Sequence, residues 1–156
     1  MKRLFIATAI LALSTSSFAA TTGTLLLQGV VAQKISLAVT PESAASALDL
    51  AVSQTDLVVA SVNEKSNSKT GYKVTITSAN LSKLKRTDGP DLFAYTMKYD
   101  GSAVSLTTIA GTTITDSAAN SVNLNKSVSI SYTGVAEELM VEGTYNDTVT
   151  FTIAAN

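Results

Sequence analysis

Cysteine and histidine are both absent from this 156-residue chain. Without cysteine there is no disulfide, no thiol nucleophile and no thiolate metal site, so stability has to come from packing and the sheet ladder. Without histidine the usual zinc and copper donors are missing, and so is the base of a Ser-His-Asp triad. Serine and threonine are abundant, but none stands beside an identifiable base. An enzyme would have to work with carboxylates, lysines or tyrosines alone, and the expectation is a non-enzyme with no cofactor and no metal. Charge is sparse as well, with 11 bases against 12 acids. A weakly acidic chain is poorly suited to nucleic acid, where clustered Lys and Arg must displace counterions from phosphate. The one basic cluster, Lys83, Lys85 and Arg86, reads as a solvated loop. Long hydrophobic runs are missing too. The apolar stretch Leu4–Leu13 falls well short of the roughly 20 residues that span a bilayer.

What is present begins with that stretch. Lys2 and Arg3 precede it, and the small-residue region Ser14–Ala20 follows it. Ser17 and Ala19 satisfy the small-x-small rule of a secretory cleavage site, with the cut after Ala19. Cutting after Ala20 would place bulky Phe18 at the upstream position and ranks second. Residues 1–19 therefore read as a signal peptide and residues 20–156 as a single exported domain without a membrane span. Loss of Lys2 and Arg3 moves the formal net charge from −1 to −3.

Past the signal, period-2 alternation recurs and helical periodicity does not. Thr24–Thr40 is β-rich, with a break expected at Gly29 and a stop at Pro41. Leu48, Leu50 and Val52 suggest a short strand. Asp56–Asn63 suggests another, whose continuous Leu57–Ala60 run implies two-sided burial or a bulge. Glu64–Thr70 reads as a turn. Gly71–Ser78 is a clean strand with Tyr72, Val74 and Ile76 on one face. Ala79–Asp91 reads as the longest irregular stretch. Phe93, Tyr95, Met97 and Tyr99 alternate up to Asp100-Gly101, a hairpin signal, with Ala103–Thr108 as the return strand. Thr112–Thr115, Ser121–Thr133 and Thr144–Ala154 complete the set, with one helical turn allowed in Gly134–Gly143. About eight to nine short strands at roughly ten-residue spacing predict an all-β, immunoglobulin-like antiparallel sandwich; a closed barrel is the alternative.

Smaller features carry less. Asp88 and Asp91 could offer oxygens to calcium, although a plain turn is the simpler reading. Glu137, Glu138 and Glu142 suit a solvated loop. The Phe93, Tyr95 and Tyr99 face could stack on sugar rings, but core packing is the expected use. Asn80, Asn125 and Asn146 begin glycosylation sequons of the kind expected by chance in an Asn/Ser/Thr-rich chain.

Gly143-Thr144-Tyr145-Asn146-Asp147, followed by an alternating strand, resembles the closing G-x-Y-x-D/G segment of bacterial chaperone–usher fimbrial subunits and spore-coat-U-like proteins. The chain departs from many members in lacking a disulfide and a penultimate tyrosine. The resemblance implies an immunoglobulin-like fold that lacks one strand, with a groove filled first by a periplasmic chaperone and then by the N-terminal extension of the next subunit. On that pattern residues 20–31 are the donor, with Leu25, Leu27, Gly29 and Val31 on one face. Val149, Phe151 and Ile153 border the acceptor groove. The partners implied are identical subunits arranged head-to-tail, a periplasmic chaperone and an outer-membrane usher. The location implied is the periplasm in transit, then the cell surface or an extracellular fibre.

Two readings of function stay open on the residues. One is a structural subunit of a surface fibre, fimbria, coat or biofilm matrix. The other is a self-contained secreted sandwich, with Thr24–Gly29 in its own first strand, that binds a carbohydrate or a protein.

Overall fold

The computed structural model describes residues 21–156, so the signal reading of 1–19 lies outside the described residues. The chain divides into two units after Val31. Thr21–Val31 has no strand or helix, and Leu25, Leu26, Leu27, Val30 and Val31 are each 82–87% exposed. The expected strand over Thr24–Thr40 is thus confined to its second half.

Ala32–Asn156 is all-β and antiparallel, with the strands β1 (Ile35–Pro41), β2 (Gln54–Ser66), β3 (Tyr72–Ser78), β4 (Lys83–Arg86), β5 (Leu92–Ala94), β6 (Thr96–Tyr99), β7 (Ser102–Val104), β8 (Thr112–Asp116), β9 (Val122–Tyr132), β10 (Tyr145–Asn146) and β11 (Val149–Ala155). One sheet has the order β1-β2-β9-β6-β7, a second β11-β3-β8, and a small third β10-β4-β5. The sandwich expected from the alternation is present, with more strands than the eight or nine anticipated, several of them very short beside the 13-residue β2 and the 11-residue β9. Among the described residues no helix is long and apolar enough to cross a membrane.

Inward-facing side chains come from both large sheets: Val62, Met97, Val128 and Ile130 from one, and Tyr72, Val74 and Ile76 from the other. Val62 and Ile76 are fully buried. Phe93, Tyr95, Met97 and Tyr99 are all buried, so this aromatic face is core rather than a displayed platform. The Leu57–Ala60 run contains the bulge that its unbroken apolarity suggested, for the β2–β9 register shifts twice between Gln54 and Ala60. Asp56 takes positive φ beside that shift; its N–H donates to Ser131 Oγ, and its carboxylate accepts from Lys98. Asp100 and Gly101 both have positive φ (50° and 77°), as a type I′ turn demands.

Four expectations are corrected. Leu48, Leu50 and Val52 form no strand. The segment is a crossover strap in which Leu48 and Leu50 pack on the core and the Leu50 carbonyl accepts from Val135 N–H. Glu64–Ser66 is strand rather than turn, because Glu64 is buried where Tyr72 Oη and Tyr99 Oη both donate to its carboxylate. Ala79–Asp91 contains β4, which pairs with both β5 and β10. Finally, Phe93–Tyr99 is two strands, since the chain changes sheets at Tyr95, whose N–H donates to Ser82.

The tyrosine–glutamate knot has a consequence for pH. Burial first, and then the hydrogen bond and charge of Glu64, push the Tyr72 and Tyr99 hydroxyls well above the ordinary tyrosine range. A raised folded-state value means stability is intact below about pH 10, where the unfolded chain also keeps its tyrosines protonated, and is lost as pH rises further. Each tyrosine then costs up to about 1.4 kcal/mol per pH unit. Melting temperature followed by circular dichroism is expected to be flat from neutrality to about pH 10 and to fall steeply above it. Tyr99→Phe is expected to blunt the fall, and an unchanged alkaline slope in that variant would contradict this assignment.

Candidate strand-acceptor groove

β1 pairs with β2 and β11 pairs with β3, and among the described residues neither has a partner on its other edge. These two free edges face each other across the sandwich, because Val39 and Pro41 of β1 and Val149 and Phe151 of β11 line one groove of about 350 Å³. Its floor is core: Val59, Tyr95, Met97, Val128 and Ile130 reach it from below. The opposite seam differs. There edge strands β7 and β8 flank a cleft of about 380 Å³, but the chain itself runs from one to the other, and the Thr112 hydroxyl bridges them at one point by bonding both the Ser105 N–H and the Ser105 carbonyl.

Burial along this seam is partial. Ile35, Leu37 and Val39 alternate inward along β1, yet Val39 is 42% exposed and Leu37 only partly buried. On the facing edge Val149, Phe151 and Ile153 are all half-buried, while Thr150 and Thr152 between them face solvent. Phe151 stacks at 5.8 Å from Tyr99, so its ring reaches the core while its flank stays open. Of the three residues that the resemblance offered as an acceptor wall, Val149 and Phe151 line this groove and Ile153 continues the same face further along. Exposed sheet edges with apolar side chains and unpaired backbone groups are, in general, where strand addition takes place.

The Gly143, Tyr145 and Asp147 motif fixes the start of β11. Gly143 has φ of +145°, in the region that favours glycine, beside the Arg86 side chain. Tyr145 Oη donates to the Val141 carbonyl and ties down the preceding loop. Asp147 is the hub: it accepts from Ser78 Oγ at 2.5 Å, Tyr95 Oη at 2.6 Å, Asn80 N–H at 2.9 Å and Thr148 N–H at 2.8 Å. Burial, then the Asp147 hydrogen bond and charge, raise the Tyr95 hydroxyl well above its usual range. The carboxylate thereby welds β11 to the β3–β4 turn and to the groove floor.

Of the donor candidates, Leu25, Leu27 and Val31 are 83–87% exposed, and Gly29 lies among them with open space around it. Residues 32–34, just downstream, are clamped by a device that local sequence did not mark. Asn67 Nδ2 donates to the Ala32 carbonyl, Asn67 Oδ1 accepts from Lys34 N–H, and Asn67 N–H donates to the Lys34 carbonyl. Gln33 Nε2 adds a bond to the buried Ser68 hydroxyl. The β1 edge thus begins from a fixed point. Asp88 and Asp91, considered above as calcium ligands, instead flank Arg86 at 3.0 and 2.7 Å. Glu137, Glu138 and Glu142 are exposed, as expected of a solvated loop.

No protein-family model matches the chain, and no curated protein is significantly similar to it.

Proposed function

We propose that the chain is an exported structural subunit that polymerises into a surface fibre or coat by donating residues 20–31 to the β1/β11 groove of the next copy. The observation that carries this reading is the apolar groove between two unpaired, facing edge strands. It coexists with an N-terminal segment of large apolar residues that forms no strand of its own. Strand addition satisfies both: backbone bonds complete the ladder, and alternate side chains fill the groove. Leu25, Leu27 and Val31 supply the bulk, and Gly29 permits close backbone approach. Because donor and groove lie on the same chain but in different places, the contact is heterologous and propagates as an open fibre. An open groove is also an aggregation hazard before assembly, which is the physical reason for a periplasmic chaperone and an usher as partners. The test is to supply the strand in cis. A second copy of residues 20–31, joined after Asn156 by a flexible linker, is expected to convert polymer to monomer on size-exclusion chromatography.

A further inference from the structure

We propose that the two ends of the sandwich are a complementary docking pair, the lysine end of one copy seating on an acidic cleft of the next. This inference rests on the donor-strand reading and adds a second, charge-based contact to it. At one end lie segments 42–53, 79–91 and 133–148, which together carry eight carboxylates and three bases. Arg86 is occupied by Asp88 and Asp91, leaving Lys83 and Lys85 as the basic members of that end. A cleft of about 670 Å³ opens there, walled by Leu48, Leu84 and Met140 and rimmed by Asp49, Glu137 and Glu142. It shares Ala45, Leu48 and Leu84 with the strand groove, so the two are continuous. Beside it Leu139 is 77% and Val141 48% exposed.

At the other end, segments 32–34, 65–73 and 116–121 carry four lysines and one carboxylate, Asp116. Glu64 is adjacent but buried under its two tyrosines. Lys34, Lys65 and Lys69 are exposed, and like Glu137, Glu138 and Glu142 they form no ion pair among the described residues. The remaining charges, Asp56 with Lys98 and Asp100 with Lys126, pair with each other along the flank.

Chain connectivity brings these ends together. Lys34 follows the donor segment by three residues, a reach of roughly 10 Å. Wherever the donor leaves the acceptor groove, the donor's lysine end must therefore arrive. If the donor runs antiparallel to β11, it leaves beside Val149 and Asp147, and the lysines land on the acidic rim. If it runs parallel, it leaves beside Ala155, where lysine would meet lysine. Complementary charge within about one Debye length favours the first and penalises the second, which fixes both the register of the subunits and the direction of the strand.

Two charge-reversed chains test this: Lys34→Glu/Lys65→Glu/Lys69→Glu and Glu137→Lys/Glu138→Lys/Glu142→Lys. Light scattering would follow fibre growth at about 20 mM and about 500 mM salt. Each variant alone is expected to elongate about tenfold or more slowly than the parent at low salt, with the gap narrowing at high salt. An equal mixture is expected to recover the parent rate, because the two then alternate with matched ends. That recovery also rules out misfolding, since an unfolded chain could not be rescued by the other variant. Parent-like growth of either variant alone would overturn the docking pair and leave donor-strand assembly standing. Absence of polymer from the parent itself at both salt levels would overturn both.

Discussion

Replacing Leu25 and Leu27 together by aspartate is expected to abolish assembly while leaving the sandwich folded. Both residues are 83% exposed in the isolated chain, so the substitution removes no packing from the fold. In the assembled state each leucine would bury its side chain in another copy's groove, worth about 1.5–3 kcal/mol apiece. Aspartate in its place would carry an unpaired charge onto a floor made by Tyr95, Met97, Val128 and Ile130. The two losses together exceed about 4 kcal/mol, a factor of a thousand or more in the strand-exchange equilibrium. Sedimentation of residues 20–156 is expected to show fibres for the parent and only small species for the variant, with far-ultraviolet circular dichroism unchanged. Fibres of parental length from the double variant would remove residues 20–31 from the mechanism.

The largest effect on the fold itself is expected at Asp147. Its removal in Asp147→Ala would leave Ser78 Oγ, Tyr95 Oη and Asn80 N–H without their acceptor, and Ser78 and Tyr95 are 4% and 6% exposed. Orphaned buried donors cost about 1–3 kcal/mol each, so a loss of about 3 kcal/mol or more is expected in urea unfolding. Tyr95→Phe, which leaves the carboxylate its other donors, is expected to cost only about 1 kcal/mol. Equal losses for the two variants would mean that the hub is not centred on the carboxylate.

Those two sites differ in how far they could be read from sequence. Tyr72, Val74 and Ile76 alternate with Lys73, Thr75 and Thr77, and the strand is where the alternation places it, because one face meets the core and the other meets water. Val149, Phe151 and Ile153 obey the same rule. The Leu25–Leu27 and Val30–Val31 runs have equal β-propensity but form no strand, since a strand exists only with a partner to share its ladder. Glu64 misled for the opposite reason. Its charge suggested a turn, yet hydroxyls from Tyr72, eight residues away, and Tyr99, thirty-five away, make its burial tolerable. Lys83–Arg86 looked like loop because its charges hid a strand whose partners, Leu92–Ala94 and Tyr145–Asn146, lie on either side. The groove follows the same logic. Its β11 wall is visible as a local pattern, whereas Val39, Pro41 and the Asn67 clamp become meaningful only once two distant edges face each other.

Assembly by strand donation makes one claim above the others: the groove is a vacancy for residues 20–31. The most direct measurement is the thermal melt of residues 20–156 against the same chain carrying a second copy of residues 20–31 after Asn156. β11 ends where Asn156 N–H donates to Gly71, so a strand continuing from there can turn back along β11 antiparallel to it. Burying two leucines and a valine and completing a ladder is expected to raise the melting temperature by about 15 °C or more and to yield a monomer. An unchanged melting temperature, with both chains monomeric, would show a sandwich complete in itself and contradict donor-strand assembly.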